Sequence, residues 1–238
     1  MKISIIIPAY NEEKYLKSTL EKIRIGLNSV SNQFEVIVVN NNSEDKTAEI
    51  AINSGARVVN ESIHNIGKVR NTGAKSASGD VFIFIDADTL VPEELFQQIA
   101  DIMQDKKCFG GAVAVAYEEF QRKWMKYYLL GWKFWGEVFN MKQGAAQFCR
   151  KTAFKELSGY DESIFMGEDI EFYWRLSKFA RQNNGYLHFI ENPKVITSSR
   201  RFDRMNLLKT FFLTHPLIIW LNWKRKSVWK DWYEKAIR

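Results

Sequence analysis

The chain has 238 residues, 46% of them hydrophobic and 26% charged, which suits one domain with a large core and at most a small appendage. A formal net charge of +6 favours anionic partners: phosphorylated small molecules, nucleic acid or acidic lipid headgroups. Cys108 and Cys149 lie far apart without CxxC spacing and read as buried, reduced thiols of a cytosolic protein.

The opening "MKISIIIPAYNEE" has too short an apolar run for a secretory signal and then meets Pro8 and two acids. Ile3 to Ile7 instead reads as a buried strand, followed by an amphipathic helix from Glu12 to about Val30. Phe34 to Val39 is a second strand. Ser43 then caps a helix from about Glu44 to Ser54, which Gly55 ends. A short strand, Arg57 to Val59, precedes a helix over Gly67 to Ala77. The apolar run Val81 to Ile85 is a buried strand that delivers Asp86 and Asp88 at its end. Pro92 suits the first turn of a helix reaching Asp105. Alternating strands and helices of this kind imply a parallel sheet covered on both faces, with ligands beyond the carboxyl ends of the strands. "PAYNEE", "NNNSEDKT" and "DADT" all fall there.

The second half is less regular. Gly111 to Tyr117 reads as a strand and Lys123 to Phe139 as an aromatic, basic helix. Gln147 to Arg150 is a short strand and Thr152 to Leu157 a short helix. "GEDIEFYWRLSKFARQNNG" starts with acids and closes on glycine, a helix signature. Beyond Pro193 the chain turns basic and aromatic. "FFLTHPLIIWL" is broken by His215 and Pro216, and a membrane-spanning helix needs about 20 mostly apolar residues. No internal repeat or low-complexity tract is present.

Asp86 and Asp88, one residue apart at the mouth of the core, repel each other unless a cation lies between them. Hard oxygen ligands in that number suit Mg²⁺ or Mn²⁺ sharing phosphate oxygens with a substrate, although a lone D-x-D also occurs by chance on surface loops.

Five motifs arrive in order: "PAYNEEKYL", "VIVVNNNSEDKT", "NIGKVRNTGAKSASGD", "FIDADT" and "GYDESIFMGEDIEFYWRL". Together, over roughly residues 3–176, they resemble the family-2 glycosyltransferases, inverting enzymes that use nucleotide sugars. The resemblance implies a GT-A, Rossmann-like αβα sandwich with a mostly parallel central sheet, here carrying a helical, aromatic-rich C-terminal segment. It places the domain over residues 1–204, with a donor-binding half (1–118), an acceptor and catalytic half (119–204) and a C-terminal appendage (205–238).

By that resemblance Pro8, Ala9, Tyr10 and Glu12 lie along the nucleobase, with Tyr10 as a packing aromatic at the sheet edge the alternative. The family's loop after the second strand usually carries an Asp that accepts the uracil N3 proton. This chain has Asn40, Asn41 and Asn42 there, and Asn41 would accept through its side-chain oxygen, unless the three are simply turn-formers. Arg70 would reach the base or diphosphate, with Gly73 and Ala74 letting its helix approach the nucleotide. Asp86 would contact the ribose and Asp88 the Mn²⁺ or Mg²⁺ that bridges the diphosphate. In "GED", Asp169 would be the general base that takes the acceptor proton, and Glu168 would orient the acceptor. Alone, both acids read as helix N-terminal charges. Arg200 and Arg201 either fold back onto the diphosphate or form a solvated or lipid-facing patch. His64, His188 and His215 show no metal-ligand spacing and receive no role.

A nucleotidyltransferase is the catalytic rival, but no Gly-rich basic loop follows the first strand; no G-x-G-x-x-G supports a dehydrogenase. A membrane-surface or nucleic-acid binding module would suit the Trp–Lys interleaving of residues 123–135, yet has no need of Asp86, Asp88 and Asp169. The expected partners are therefore a nucleotide-sugar donor, probed first as UDP-linked, and an acceptor hydroxyl, lipid-linked or on a polysaccharide, without nucleic acid. Trp124, Tyr127, Tyr128, Trp132 and Trp135, with Phe211, Phe212, Trp220, Trp223 and Trp229 beside Lys224, Arg225 and Lys226, suggest a membrane surface or a homodimer interface. The expected setting is the cytoplasm, peripheral at the inner face of the membrane.

Overall fold

The computed structural model describes residues 1–118, 124–139, 141–142, 144–200 and 215–229. Eight strands form one sheet in the order β3-β2-β1-β4-β7-β6-β8-β5. They are β1 (Lys2–Ala9), β2 (Gln33–Asn40), β3 (Arg57–Asn60), β4 (Val81–Ile85), β5 (Thr89–Leu90), β6 (Cys108–Tyr117), β7 (Ala146–Arg150) and β8 (Tyr186–Thr197). The β1–β2, β1–β4, β2–β3 and β6–β8 pairs are parallel, while β7 runs antiparallel to both β4 and β6. β5 is antiparallel to β8. The sheet is mostly parallel, as expected, and each of its antiparallel pairs involves β7 or β8 of the second half.

Side chains alternate along β1. Ile3, Ile5 and Ile7 enter one apolar layer with Leu16, Leu20, Phe96 and Ile99, while Ile6 enters the other with Val69, Phe154 and Phe172. The first layer is closed by α1 (Leu16–Leu27) and α4 (Leu95–Ile102), the second by α3 (Ile66–Ser76), α6 (Lys151–Glu156) and α7 (Glu168–Gln182). The remaining described helices are α2 (Thr47–Asn53), α5 (Trp124–Val138) and α8 (Pro216–Asn222).

Several boundaries differ from the sequence expectation. α1 begins at Leu16, because Glu12 and its neighbours form a turn in which the Tyr15 and Leu16 amides donate to Glu12 O. α2 begins at Thr47, whose amide donates to Asp45 Oδ1, and Ser43 instead accepts from the Asn11 amide. Pro92 lies outside α4, in the turn leading to Leu95. β8 was not anticipated, since Glu191, Asn192, Pro193 and Lys194 interrupt its apolar pattern. Gly73 serves helix–sheet packing: a Cβ there would lie 2.5 Å from Ile6 Cγ2 and 2.7 Å from Val39 Cγ2. That close approach is to the sheet rather than to a nucleotide. Cys108 and Cys149 are both buried and free, as expected, and burial pushes both thiols up.

Candidate active site

The loops after β1 and β2 are tied to each other. The Asn11 amide donates to Ser43 Oγ at 2.9 Å, the Glu44 amide to Asn11 Oδ1 at 2.8 Å, and the Glu12 amide to Thr47 Oγ1 at 2.6 Å. Asn11 (φ 52°) and Asn42 (φ 60°) take the left-handed conformation that asparagine tolerates better than most residues. Pro8 and Ala9 end β1 and are buried. Tyr10, half-buried, sets its ring 4.5 Å from that of His64, which follows β3.

The asparagine run has divided duties. Asn40 pairs with Asn60, and its Oδ1 accepts from the Ser43 amide. Asn41 is 6% exposed and turned inward. Its Nδ2 donates to Glu61 O at 2.6 Å and to Ile63 O at 3.0 Å, and its Oδ1 faces His64 Nδ1 at 3.2 Å. The structure therefore brings His64, given no role from sequence, against Tyr10 and Asn41 at the ends of β1 and β2. Its signal was positional alone: it stands just before "NIGKVRNTG", with no ligand spacing of its own.

Beyond β4, the two aspartates meet two arginines. Arg70, from α3, is 2% exposed; it donates to Asp86 Oδ1 at 2.9 Å and to Glu168 Oε1 at 2.6 Å. Its guanidinium also lies 5.4 Å from the Tyr160 ring centroid. Burial opposes the charge on Arg70, but Asp86, Tyr160 and Glu168 outweigh it and hold the group firmly protonated. Arg70 thus sits inside the site and links the end of β4 to the start of α7. Burial pushes the Asp86 carboxyl up against the pull of Arg70, and Asp88 adds to the rise.

Asp88 points to the end of β8. Its Oδ2 lies 3.0 Å from Arg200, which also reaches Glu12 Oε1 at 2.6 Å and covers the Tyr15 ring at 4.3 Å. Asp88 Oδ1 accepts from the Thr197 hydroxyl at 3.4 Å. Arg200 folds back onto the loops of β1 and β4 rather than pointing into solvent; Arg201 lies outside the described residues. Two guanidinium groups, from α3 and from the end of β8, answer the repulsion between the two aspartates.

Glu168 and Asp169 open α7. Gly167 precedes them at φ 79°, a left-handed turn that glycine adopts without Cβ strain. Glu168 is buried against Arg70. Burial, with the Asp169 charge beside it, pushes its carboxyl up to about 7 despite Arg70. Asp169 is half-buried, and its Oδ2 accepts from the Gly144 amide at 2.6 Å. A Cβ on Gly144 would lie 2.5 Å from Asp169 Cβ, so this contact requires glycine. Gln147 Nε2 donates to the Asp169 backbone oxygen at 3.2 Å.

Among the described residues no group of three His, Cys, Asp or Glu side chains is placed to hold a metal ion. Asp86 and Asp88 alone nevertheless fit the donor set of Mg²⁺ or Mn²⁺, which are commonly held by one or two carboxylates plus substrate phosphates. The residues present therefore suit a cation shared with a bound diphosphate.

Residues 4–158 match the family model described as Glycosyl transferase family 2. The putative glycosyltransferase EpsH of Bacillus subtilis is 29% identical over 102 residues, 41% of this chain and 29% of that protein. The chain spans under a third of the length of such curated relatives. The structure of S. aureus TarS 1–349 in complex with UDP-GlcNAc superposes with a TM-score of 0.66 at 20% identity, covering 91% of this chain and 68% of that one. Glucosyl-3-phosphoglycerate synthase from Mycobacterium tuberculosis, solved with Mn²⁺, UDP and glucosyl-3-phosphoglycerate, gives 0.60 at 21% identity, with 85% and 74% covered. These two structures carry the fold.

Proposed function

The chain belongs to glycosyl transferase family 2, and from that membership and the geometry of its site we propose that it is an inverting glycosyltransferase. The donor is a nucleoside diphosphate sugar, UDP-linked, and the acceptor is a hydroxyl group. UDP and UDP-GlcNAc in structurally similar proteins support the donor class. The observation that carries the reading is the convergence of Glu12, Arg70, Asp86, Asp88, Glu168 and Arg200 through contacts of 2.6–3.0 Å, with Asp169 at their edge.

In this reading Asp169 takes the proton from the acceptor hydroxyl as its oxygen attacks the anomeric carbon. The nucleoside diphosphate departs from the opposite face, so a single displacement inverts the anomeric centre. The Gly144 amide fixes the Asp169 carboxylate for that role. Glu168 and Arg70 act as positioning residues that hold Asp86 at the donor side. Asp88, with Asp86 beside it, would hold Mg²⁺ or Mn²⁺, which when bound neutralises charge on the departing diphosphate. Mn²⁺ in the synthase complex with UDP supports that assignment.

The acceptor is lipid-linked or membrane-proximal and is met at the inner, cytoplasmic face of a membrane. That part of the reading rests on the exposed apolar side chains of α5 and α8. The test of the reaction is Asp169→Asn: UDP binding should persist while sugar transfer falls by about 10²-fold or more. Transfer at the parental rate, or product of retained anomeric configuration, would contradict it.

A further inference from the structure

Tyr10, Asn41 and His64 form a polar and aromatic corner beside the carboxyl ends of β1 and β2. We propose that His64 reads the donor's base, accepting the ring N–H of uracil at Nε2. The inference rests on the uridine-nucleotide reading above and names the group that selects the base.

The argument runs through the amide of Asn41. The side-chain atom facing the Glu61 and Ile63 carbonyl oxygens, at 2.6 and 3.0 Å, must carry hydrogens, because both of those oxygens only accept. The amide orientation is thereby fixed, and Oδ1 must be the atom 3.2 Å from His64 Nδ1. Since Oδ1 cannot donate, Nδ1 carries the proton of the bond between them. In the neutral ring the lone pair then resides on Nε2, which becomes an acceptor.

The ring is also held from the side. Tyr10 lies against it at 4.5 Å between centroids, with the planes inclined by 50°. His64 is half-buried, so its surroundings do not cover it completely. Among the described residues, the bond to Asn41 is the ring's hydrogen bond, and it engages Nδ1 alone. A fixed acceptor beside an aromatic face suits a planar heterocycle that offers a ring N–H. Uracil offers one at N3. Cytosine presents a lone pair at the same place, which would oppose that of Nε2. Asn41 acts through His64 and is a positioning residue; it need not touch the base.

The test is equilibrium binding of UDP, CDP and N3-methyluridine diphosphate to the full chain with Mn²⁺ at pH 8. Wild type, His64→Ala and His64→Gln are compared, with folding checked by circular dichroism. Wild type should bind UDP about 10- to 100-fold more tightly than the other two, the scale of leaving one polar group unpaired. His64→Ala should lose most of that preference by losing UDP affinity. His64→Gln, which restores an amide oxygen, should recover part of it. Retention of the full preference by a folded His64→Ala overturns the proposal. Equal binding of UDP and CDP by wild type overturns the role of His64 while leaving the donor class intact. Failure of wild type to bind any of the three overturns the uridine reading and this inference together.

Discussion

Arg70 serves two carboxylates at once, and the balance among the three sets a pH dependence. Glu168 is enclosed, and burial with the neighbouring Asp169 raises its carboxyl from 4.5 to about 7 in the folded chain. Below about pH 4.5 the group is protonated in folded and unfolded chains alike, and its contribution to stability is fully present. As pH rises toward 7 the unfolded chain has already released the proton that the folded chain still holds, so the contribution is progressively lost. Glu168→Gln cannot titrate. Urea denaturation of the two proteins between pH 4.5 and 8 should therefore shift the difference in stability against the wild type by on the order of 1–3 kcal/mol. A difference that stays flat across that range would mean that Arg70 fully compensates the buried charge. Asp86 and Asp88 were legible as a site because they end a buried strand. That Arg70 and Arg200 pair with them was not, since Arg70 lies 16 residues from Asp86 and Arg200 more than a hundred from Asp88.

At the level of elements, α7 and the chain before β7 are fitted to each other through one glycine. Gly144 lets the backbone come close enough for its amide to hold Asp169 Oδ2 at 2.6 Å. Gly144→Ala would drive a methyl group into the Asp169 side chain. The expected cost is about 1–3 kcal/mol in stability, as for other overpacked sites, with a fall in transfer larger than any fall in UDP affinity. Equal losses in both would show that the substitution damages the fold at large rather than the position of the carboxylate. The strands most legible in sequence were those buried on both faces, β1 and β4, whose apolar runs are continuous. β8 escaped notice because the polar stretch Glu191, Asn192, Pro193, Lys194 breaks its apolar pattern, and its pairing with β6 decides its conformation.

Across the whole molecule, the described part of the second half carries an unusual apolar surface. Leu130, Phe134, Val138 and Phe139 of α5 and its end are exposed, as are Leu217, Trp220 and Leu221 of α8. Trp132 and Met141 meet Ile219, Trp220 and Trp223 around a cavity that also touches Gly167, Ile170 and Trp174. Of the aromatic residues singled out in sequence, Trp229 is buried, while Phe211, Phe212 and the Tyr127 side chain lie outside the described residues. Arg225 and Lys226 are exposed just beyond α8. No helix among the described residues is long and apolar enough to cross a membrane. Shallow insertion of apolar side chains, with cations at the headgroups, is the arrangement that fits such a surface. The full chain should co-sediment with anionic liposomes, more weakly with neutral ones, and Trp220→Ser with Leu221→Ser should reduce that binding several-fold. Absence of co-sedimentation, together with concentration-dependent dimers that the same substitutions disrupt, would assign the surface to a second copy of the chain.

The sequence by itself determined the order of strands and helices in the first half apart from the two-residue β5, together with the family and the position of the acids. Each of these follows from local pattern: a buried strand, the loop after it and a helix start are all contiguous in the chain. Tertiary structure decided which charges meet. It set Arg70 between Asp86 and Glu168, joined Arg200 to Glu12 and Asp88, and turned Asn41 inward against His64. A side chain's partners depend on distances across the sheet, and these are fixed only when β1, β2, β4 and β8 are brought into one register.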